Sequence, residues 1–310
     1  MTFWGSQGFA HVAHTQGQAP IPVPSWSPGH RGSSPSSKAL PNGSSLRRRD
    51  GLDYTQTAKA AIDTMNKFYN ETQGRGGSFR ADLTDDTGWW ALALLRMFNL
   101  TGNQTYLNIF ILDQAYMYSY RTGAKCGGGM YVDIRDKTYK NAIASELYML
   151  LTASLHNRIP GDVAYLAKAK ATWEWFKSSG MINDQLGEPQ LYRATNDTSY
   201  LDQARKIADA VMANKLRPDS DQVLTDPCEP SDTCNSDQHI FKGIFARDLA
   251  ELSNSLEGDP YRAYLEQNAR AAVEQDRNAT GFYDVVWRGP FWNSTLGKQA
   301  SAVGLLVALI

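Results

Sequence analysis

From residue 52 onward, apolar side chains recur at the three-and-four spacing of one helix face. Ala58, Ala61, Ile62, Met65 and Phe68 open the pattern. Comparable stripes predict helices at about 86–99, 104–120, 140–157, 162–178, 198–214, 238–254, 260–275 and 296–309. That makes nine. The alternation of a half-buried strand is confined to short ribbons near Gly129–Val132 and Phe282–Val286. The fold class expected is all-α.

A repeat organises these helices. A polar residue is followed three positions later by Tyr-Leu at Asn103/Tyr106-Leu107, Asp162/Tyr165-Leu166 and Asp197/Tyr200-Leu201. A looser copy runs from Asp259 to Tyr264-Leu265. The polar residue is expected to cap a helix, Pro260 to suit a first turn, and each Tyr-Leu to enter the core. Each copy then opens the second helix of a hairpin. The spacings between caps are 59, 35 and 62 residues. About sixty residues hold one hairpin of an (α/α) toroid, so the short interval lacks roughly 25 residues, about one helix and its loop. Leu191–Thr195 reads as the end of a helix whose body is absent. A lost helix would reverse the direction of everything after it and leave the barrel incomplete.

Residues 1–50 differ in kind. They are rich in Pro, Gly, Ser and His, end in Leu46-Arg-Arg-Arg49, and are expected to be disordered, with the helical domain spanning 51–310. The pair His11 and His14 has metal-ligand spacing but no further ligand nearby, so no metal site is expected. The chain opens without the basic and apolar stretches of a signal peptide. Yet seven of its sixteen Asn residues (42, 70, 99, 103, 196, 278 and 293) head Asn-x-Ser/Thr sequons, against roughly two by chance. The expectation is a secreted or cell-surface glycoprotein whose true N-terminus is absent or misjoined.

Composition narrows the partners. The 310 residues carry 31 Lys and Arg against 32 Asp and Glu, a net charge of −1. That argues against the clustered basic surface a nucleic acid needs, and no nucleic-acid partner is expected. No apolar run approaches a membrane span. The 8 Trp and 15 Tyr provide rings that either pack in the core or stack on sugars. Of three cysteines, Cys228 and Cys234 bracket a short loop and are expected to form a disulfide, leaving Cys126 unpaired.

The candidate chemistry lies at Asp85-Asp86-Thr-Gly-Trp89-Trp90, where two neighbouring carboxylates begin a helix. Acidic residues there complement the helix dipole, which is the competing structural reading. The functional reading is that adjacent carboxylates repel, which helps hold one of them protonated, as glycosidic cleavage requires. Carboxyl groups about 5–5.5 Å apart suit retention of configuration and about 6.5–9.5 Å inversion. Sequence neighbours fit the shorter range, so retention is expected.

The chain resembles glycoside hydrolase family 76, the fungal and bacterial endo-α-1,6-mannanases, over most of residues 52–310. The resemblance rests on this Asp pair with Trp89 and Trp90, on Cys126-Gly-Gly-Gly-Met-Tyr131, and on Thr138-Tyr-Lys140-Asn141 leading to Glu146-Leu147. It continues through Pro227-Cys-Glu-Pro230, Asp237-Gln238 through Arg247, Gly289-Pro-Phe291 and Gln299-Ala-Ser301. It implies a barrel of six hairpins, α-1,6-mannan as substrate, no cofactor, Asp85 as nucleophile and Asp86 as general acid/base. Some fungal members of the family are thought to transglycosylate. The resemblance also implies that two segments are missing: about two helices before Asp85, and one near residue 185 that would usually carry the partner of Cys126. Nine helices and three absent ones make the full twelve.

Trp89, Trp90 and Trp287 are candidate sugar platforms, with core packing as the alternative. Gly128 and Gly129 would let backbone approach a sugar, or simply turn the chain. Tyr131, Lys140, Asn141, Asp237 and Gln238 are candidate substrate contacts, with Asp237 otherwise capping a helix. Lys242 and Arg247 are expected to be structural or exposed. A monomer is expected. The competing functions are a shortened, impaired chain that only binds glycans, and a polysaccharide lyase, for which no Tyr or His base cluster stands out.

Overall fold

The computed structural model describes residues 60, 63, 64, 67, 79–124, 126–180, 188–215 and 222–310. Nine α-helices lie among them: α1 Thr84–Thr101, α2 Gln104–Ser119, α3 Ala142–His156, α4 Ala164–Ser179, α5 Glu188–Thr195, α6 Ser199–Lys215, α7 Gln238–Ser253, α8 Arg262–Ala271 and α9 Leu296–Val307. Eight of these answer to predicted helices, most of them within two residues. The ninth, α5, is the helix end expected at Leu191–Thr195. Of the predicted first helix, residues 60, 63, 64 and 67 are helical and the rest lie outside the described residues. So do residues 1–50, the His11/His14 pair and the sequons at Asn42 and Asn70.

The helices pair as hairpins, α1 on α2, α3 on α4 and α5 on α6, while α7 packs on both α8 and α9. Because α3 also touches both α1 and α5, the first helix of each hairpin lies on an inner ring and the second outside it, the arrangement of an (α/α) toroid. Among the described residues there is no strand. The ribbon expected near residue 130 is three isolated bridges, Leu83 to Asp133, Arg121 to Met130 and Tyr131 to Lys140. These fold the α2–α3 loop back onto the start of α1. No helix among the described residues is long and apolar enough to cross a membrane.

Three of the four repeat caps form as expected. Asn103 accepts from the Thr105 amide at 3.0 Å, Asp162 from the amides of Ala164, Tyr165 and Leu166, and Asp197 from Ser199 at 2.9 Å. The fourth does not. Asp259 has φ 52° and takes the Ser253 hydroxyl instead, and α8 starts at Arg262, beyond Pro260. The Tyr-Leu pairs at 106, 200 and 264 are buried. Tyr165 and Leu166 are half-buried.

The expected reversal of direction does not occur. α7 starts at the same end of the ring as α1 and α3, since the Asn141 side chain and the Asp237 charge both bear on Asp85. The lower end of α5 is fixed to its neighbours, Arg193 of α5 pairing with Glu251 of α7 at 2.8 Å and Gln190 accepting from Asn157 after α3. Opposite, α7 and α9 approach closely through small residues. A Cβ on Gly243 would meet the Ser301 backbone at 2.5 Å, and the Gly243 amide donates to Ser301 Oγ at 2.9 Å.

Candidate functional site

The starts of α1, α3 and α7 converge, and each brings a polar residue. In α1, Leu83 is the N-cap and offers no side-chain cap, so Asp85 and Asp86 fall in the first turn, where the exposed amides favour negative charge. Asp85 Oδ1 accepts from the Asp86 amide at 3.0 Å. Thr84 fixes the turn by donating its hydroxyl to the Tyr131 carbonyl at 2.8 Å. Asp86 is buried at 9% exposure and Asp85 is half-buried.

Burial pushes the Asp85 carboxyl above its ordinary value. The amides of Asp86 and Asp85 itself and the Asn141 side chain pull it back down, and the charge of Asp237 pushes it up again. Asn141 therefore serves two ends at once. Its Oδ1 accepts from the Ala144 amide at 2.9 Å to cap α3, while its side chain also bonds Asp85. Asp237 does not cap α7. That work falls to Asn235, whose Oδ1 accepts from the amides of Asp237 and Gln238, both at 3.0 Å. Asp237 Oδ1 is left buried without a hydrogen-bond partner among the described residues.

Several expected sugar contacts are engaged elsewhere. Trp90 is core, 7% exposed and packed on Phe79 with ring centres 5.2 Å apart. Trp287 is 1% exposed, with the Lys242 ammonium 4.3 Å from its ring centre. Neither ring can stack on a sugar. Gly128 and Gly129 are buried beneath Trp175, where a Cβ would come within 2.4 and 2.2 Å of the indole. They are glycines because an indole lies there, and Trp175 Nε1 locks the loop by donating to the Cys126 carbonyl at 2.8 Å. Lys140 donates to the carbonyls of Thr122, Ala124 and Gly128 and sits 4.9 Å from the centre of the Tyr131 ring. Its ammonium holds the glycine loop, and Tyr131 is buried at 9% exposure. Gln238 accepts from the Asn235 amide at 2.8 Å, so its carbonyl closes the α7 cap. Trp89 is half-buried and lines a cavity of about 180 Å³ inside the ring. The carboxylate pair does not line that cavity, which lies further along α1, between Arg96, Glu146, Arg158 and Asp248.

Of the two roles expected of Lys242, structural or exposed, the first holds. Lys242, in α7's second turn, is fully buried and pairs with Glu229 at 2.7 Å, also donating to the carbonyls of Val285 and Leu224. A lone cation among Ile240, Phe241 and Ile244 was the available signal. The expected bridge between Cys228 and Cys234 forms, with Cα atoms 4.9 Å apart, and holds the turn carrying Glu229. Cys126 is an exposed thiol.

Comparison with known proteins follows the same outline. Residues 77–188 and 186–310 match Glycosyl hydrolase family 76. The two stretches meet at the start of α5, where the repeat is short. A Schizosaccharomyces pombe relative is 26% identical over 73% of this chain and 62% of its own length. Mannan endo-1,6-alpha-mannosidase DFG5 of Candida albicans is 24% identical over 73% and 60%. The chain thus spans about three fifths of the curated relatives it matches. Among solved structures, the GH76A alpha-1,6-mannanase of Salegentibacter sp. HEL1_6 superposes with a TM-score of 0.70 at 21% identity, covering 84% of this chain and 85% of that one. Dfg5 from Chaetomium thermophilum gives 0.70 at 20% identity, over 83% and 76%. An inactive variant of the Salegentibacter enzyme, with two consecutive aspartates replaced, was solved with an alpha-1,6-mannotetraose.

Proposed function

From membership of glycosyl hydrolase family 76, to which this chain belongs, we propose that the protein cleaves α-1,6-mannan by a retaining double displacement, with Asp85 as nucleophile and Asp86 as general acid/base. In the first step an Asp85 carboxylate oxygen forms a bond to the anomeric carbon as the bond to the departing O6 breaks. Asp86 delivers its proton to that oxygen. In the second step Asp86 takes a proton from water, the water oxygen bonds the anomeric carbon, and Asp85 is released.

The observation that carries this reading is the environment of Asp85. Donors from the backbone and from Asn141 converge on one carboxyl that burial has otherwise desolvated. Burial raises this carboxyl on balance, and the donors offset part of that rise, so the group is desolvated yet supplied with partners for its ionised form. Asp237 adds a negative charge that favours the positive character developing at the anomeric carbon. The mannan assignment is supported by the named activity of the Candida relative and by the mannotetraose complex of the Salegentibacter enzyme.

A second reading is a shortened chain that binds mannan without cutting it, and the two-turn length of α5 favours it. Both are separated by incubating the protein with unbranched α-1,6-mannan. The catalytic reading requires release of mannooligosaccharides, reduced about a thousandfold or more in Asp85→Asn and in Asp86→Asn. Binding without release by the unmutated chain supports the second reading. Full turnover by both variants removes the Asp pair from the mechanism.

A further inference from the structure

Trp292 is 82% exposed, the most exposed of the large apolar side chains among the described residues. The backbone that carries it is tied to a buried residue. The Trp292 and Asn293 amides both donate to Asp284 Oδ2 at 3.2 Å. Asp284 is buried, its other oxygen pairs with the Lys298 ammonium at 2.6 Å, and its own amide donates to both oxygens of the buried Asp276. On the other side of the loop, Gly289 lies so close to the chain that a Cβ would meet the Gln275 carbonyl at 2.1 Å. A rigid buried scaffold thus presents one apolar ring to solvent.

The place of the ring is also fixed. Lys298 is in the first turn of α9, whose cap, Thr295, accepts from the Lys298 amide and contacts His239 Nδ1 at 3.3 Å. His239 follows Asp237 and Gln238 in the first turn of α7, and Asp237 is the residue whose charge bears on Asp85. The start of α9 presses on that turn, since a Cβ on Gly297 would touch His239 Cβ at 3.1 Å. Trp292 therefore stands at the end of the ring where the carboxylates lie, on the segment that packs against the start of α7.

We propose that Trp292 is an aromatic platform that stacks on the face of a mannopyranose ring of the bound chain, one or more residues from the bond being cut. The proposal rests on the mannan reading above. With its backbone held by Asp284, only the two side-chain torsions of Trp292 remain to be ordered on contact, and the C–H face of a pyranose suits an electron-rich indole. The side chain touches no reacting group, so it binds substrate without altering the chemical step.

The test compares the unmutated chain, Trp292→Ala and Trp292→Phe, all enzymatically deglycosylated because Asn293 heads a sequon. Initial rates are taken across concentrations of an α-1,6-mannohexaose, alongside thermal melts. Trp292→Ala is expected to raise KM about tenfold with kcat held within about twofold, Trp292→Phe to recover most of the loss, and all three to melt alike. If the unmutated chain cleaves and Trp292→Ala leaves KM unchanged, or lowers the melting temperature, the platform is wrong and the catalytic reading stands. If the unmutated chain neither binds nor cleaves the oligosaccharide, both fall together.

Discussion

Replacing Lys242 with Met tests whether the buried ion pair under α7 holds the site in place. The ammonium is fully enclosed, 2.7 Å from Glu229 and 2.6 Å from the Val285 carbonyl, and lies over the Trp287 ring. Burial pushes Glu229 up and Lys242 down, each resisted by the other's charge. Met fills the volume but leaves a buried carboxylate without its cation and the Val285 and Leu224 carbonyls without a donor. Breaking a buried pair from one side costs about 3–5 kcal/mol, and each orphaned carbonyl adds about 1 kcal/mol or more. A total of about 5–7 kcal/mol corresponds to a fall of roughly 10–15 °C in melting temperature for a domain of this size. The pH dependence is a sharper signature. Without Lys242 the folded-state pKa of Glu229 rises further, so folding is penalised as pH climbs above the unfolded glutamate value of about 4.3. Thermal melts followed by circular dichroism should show a larger loss at pH 7.5 than at pH 4. The double variant Lys242→Met with Glu229→Gln should regain much of it. A Lys242→Met protein melting within about 2 °C of the unmutated chain, or losing equally at both pH values, would refute the reasoning.

Two further outcomes follow from buried contacts. Gly129→Ala should destabilise by about 3 kcal/mol or more, because φ is +80° and the new Cβ would sit 2.2 Å from the Trp175 ring. Urea melts check this, and a loss below ~1 kcal/mol would show that the indole moves aside freely. Asp113 is pushed up to about 8 by burial, which outweighs its 3.3 Å contact with Arg80. Its neutral form is what the fold accepts, so the stability it contributes is full below about pH 4 and is lost as pH rises through 8. Asp113→Asn should accordingly gain stability relative to the unmutated chain between pH 4.5 and pH 8.5, and an equal difference at both pH values would show Asp113 to be ionised throughout.

The helices were legible because their pattern is local. Asn103, Asp162 and Asp197 announced caps, and the cap spacing located the shortened hairpin that α5 occupies. That Asp85, Asn141 and Asp237 stand at helix beginnings was legible too, but not that those beginnings converge, because the expected reversal would have put Asp237 at the opposite end. What a ring or an ammonium faces depends on residues distant in the chain, and there the sequence left alternatives open. Trp90 and Trp287 went inward, Trp292 stayed outside, and Gly128 and Gly129 made room for Trp175 from α4. Lys140 looked like a sugar contact because its three acceptors lie 12 to 18 residues back in a loop with no regular pattern. Polarity of the chain past α5 was misjudged for a different reason. Counting residues between caps tells how much chain is absent, not the end of the ring at which the next helix starts.

The division of labour between the two aspartates is tested most directly by trapping the intermediate. A 2-deoxy-2-fluoro-α-mannosyl fluoride bearing an α-1,6-linked mannose slows both steps and lets the glycosyl-enzyme accumulate. Digestion and tandem mass spectrometry then locate the label. The account predicts one sugar ester, on Asp85, formed in the unmutated protein and absent from Asp85→Asn. A label on Asp86 or Asp237, or active turnover with inversion and no label at all, would contradict it.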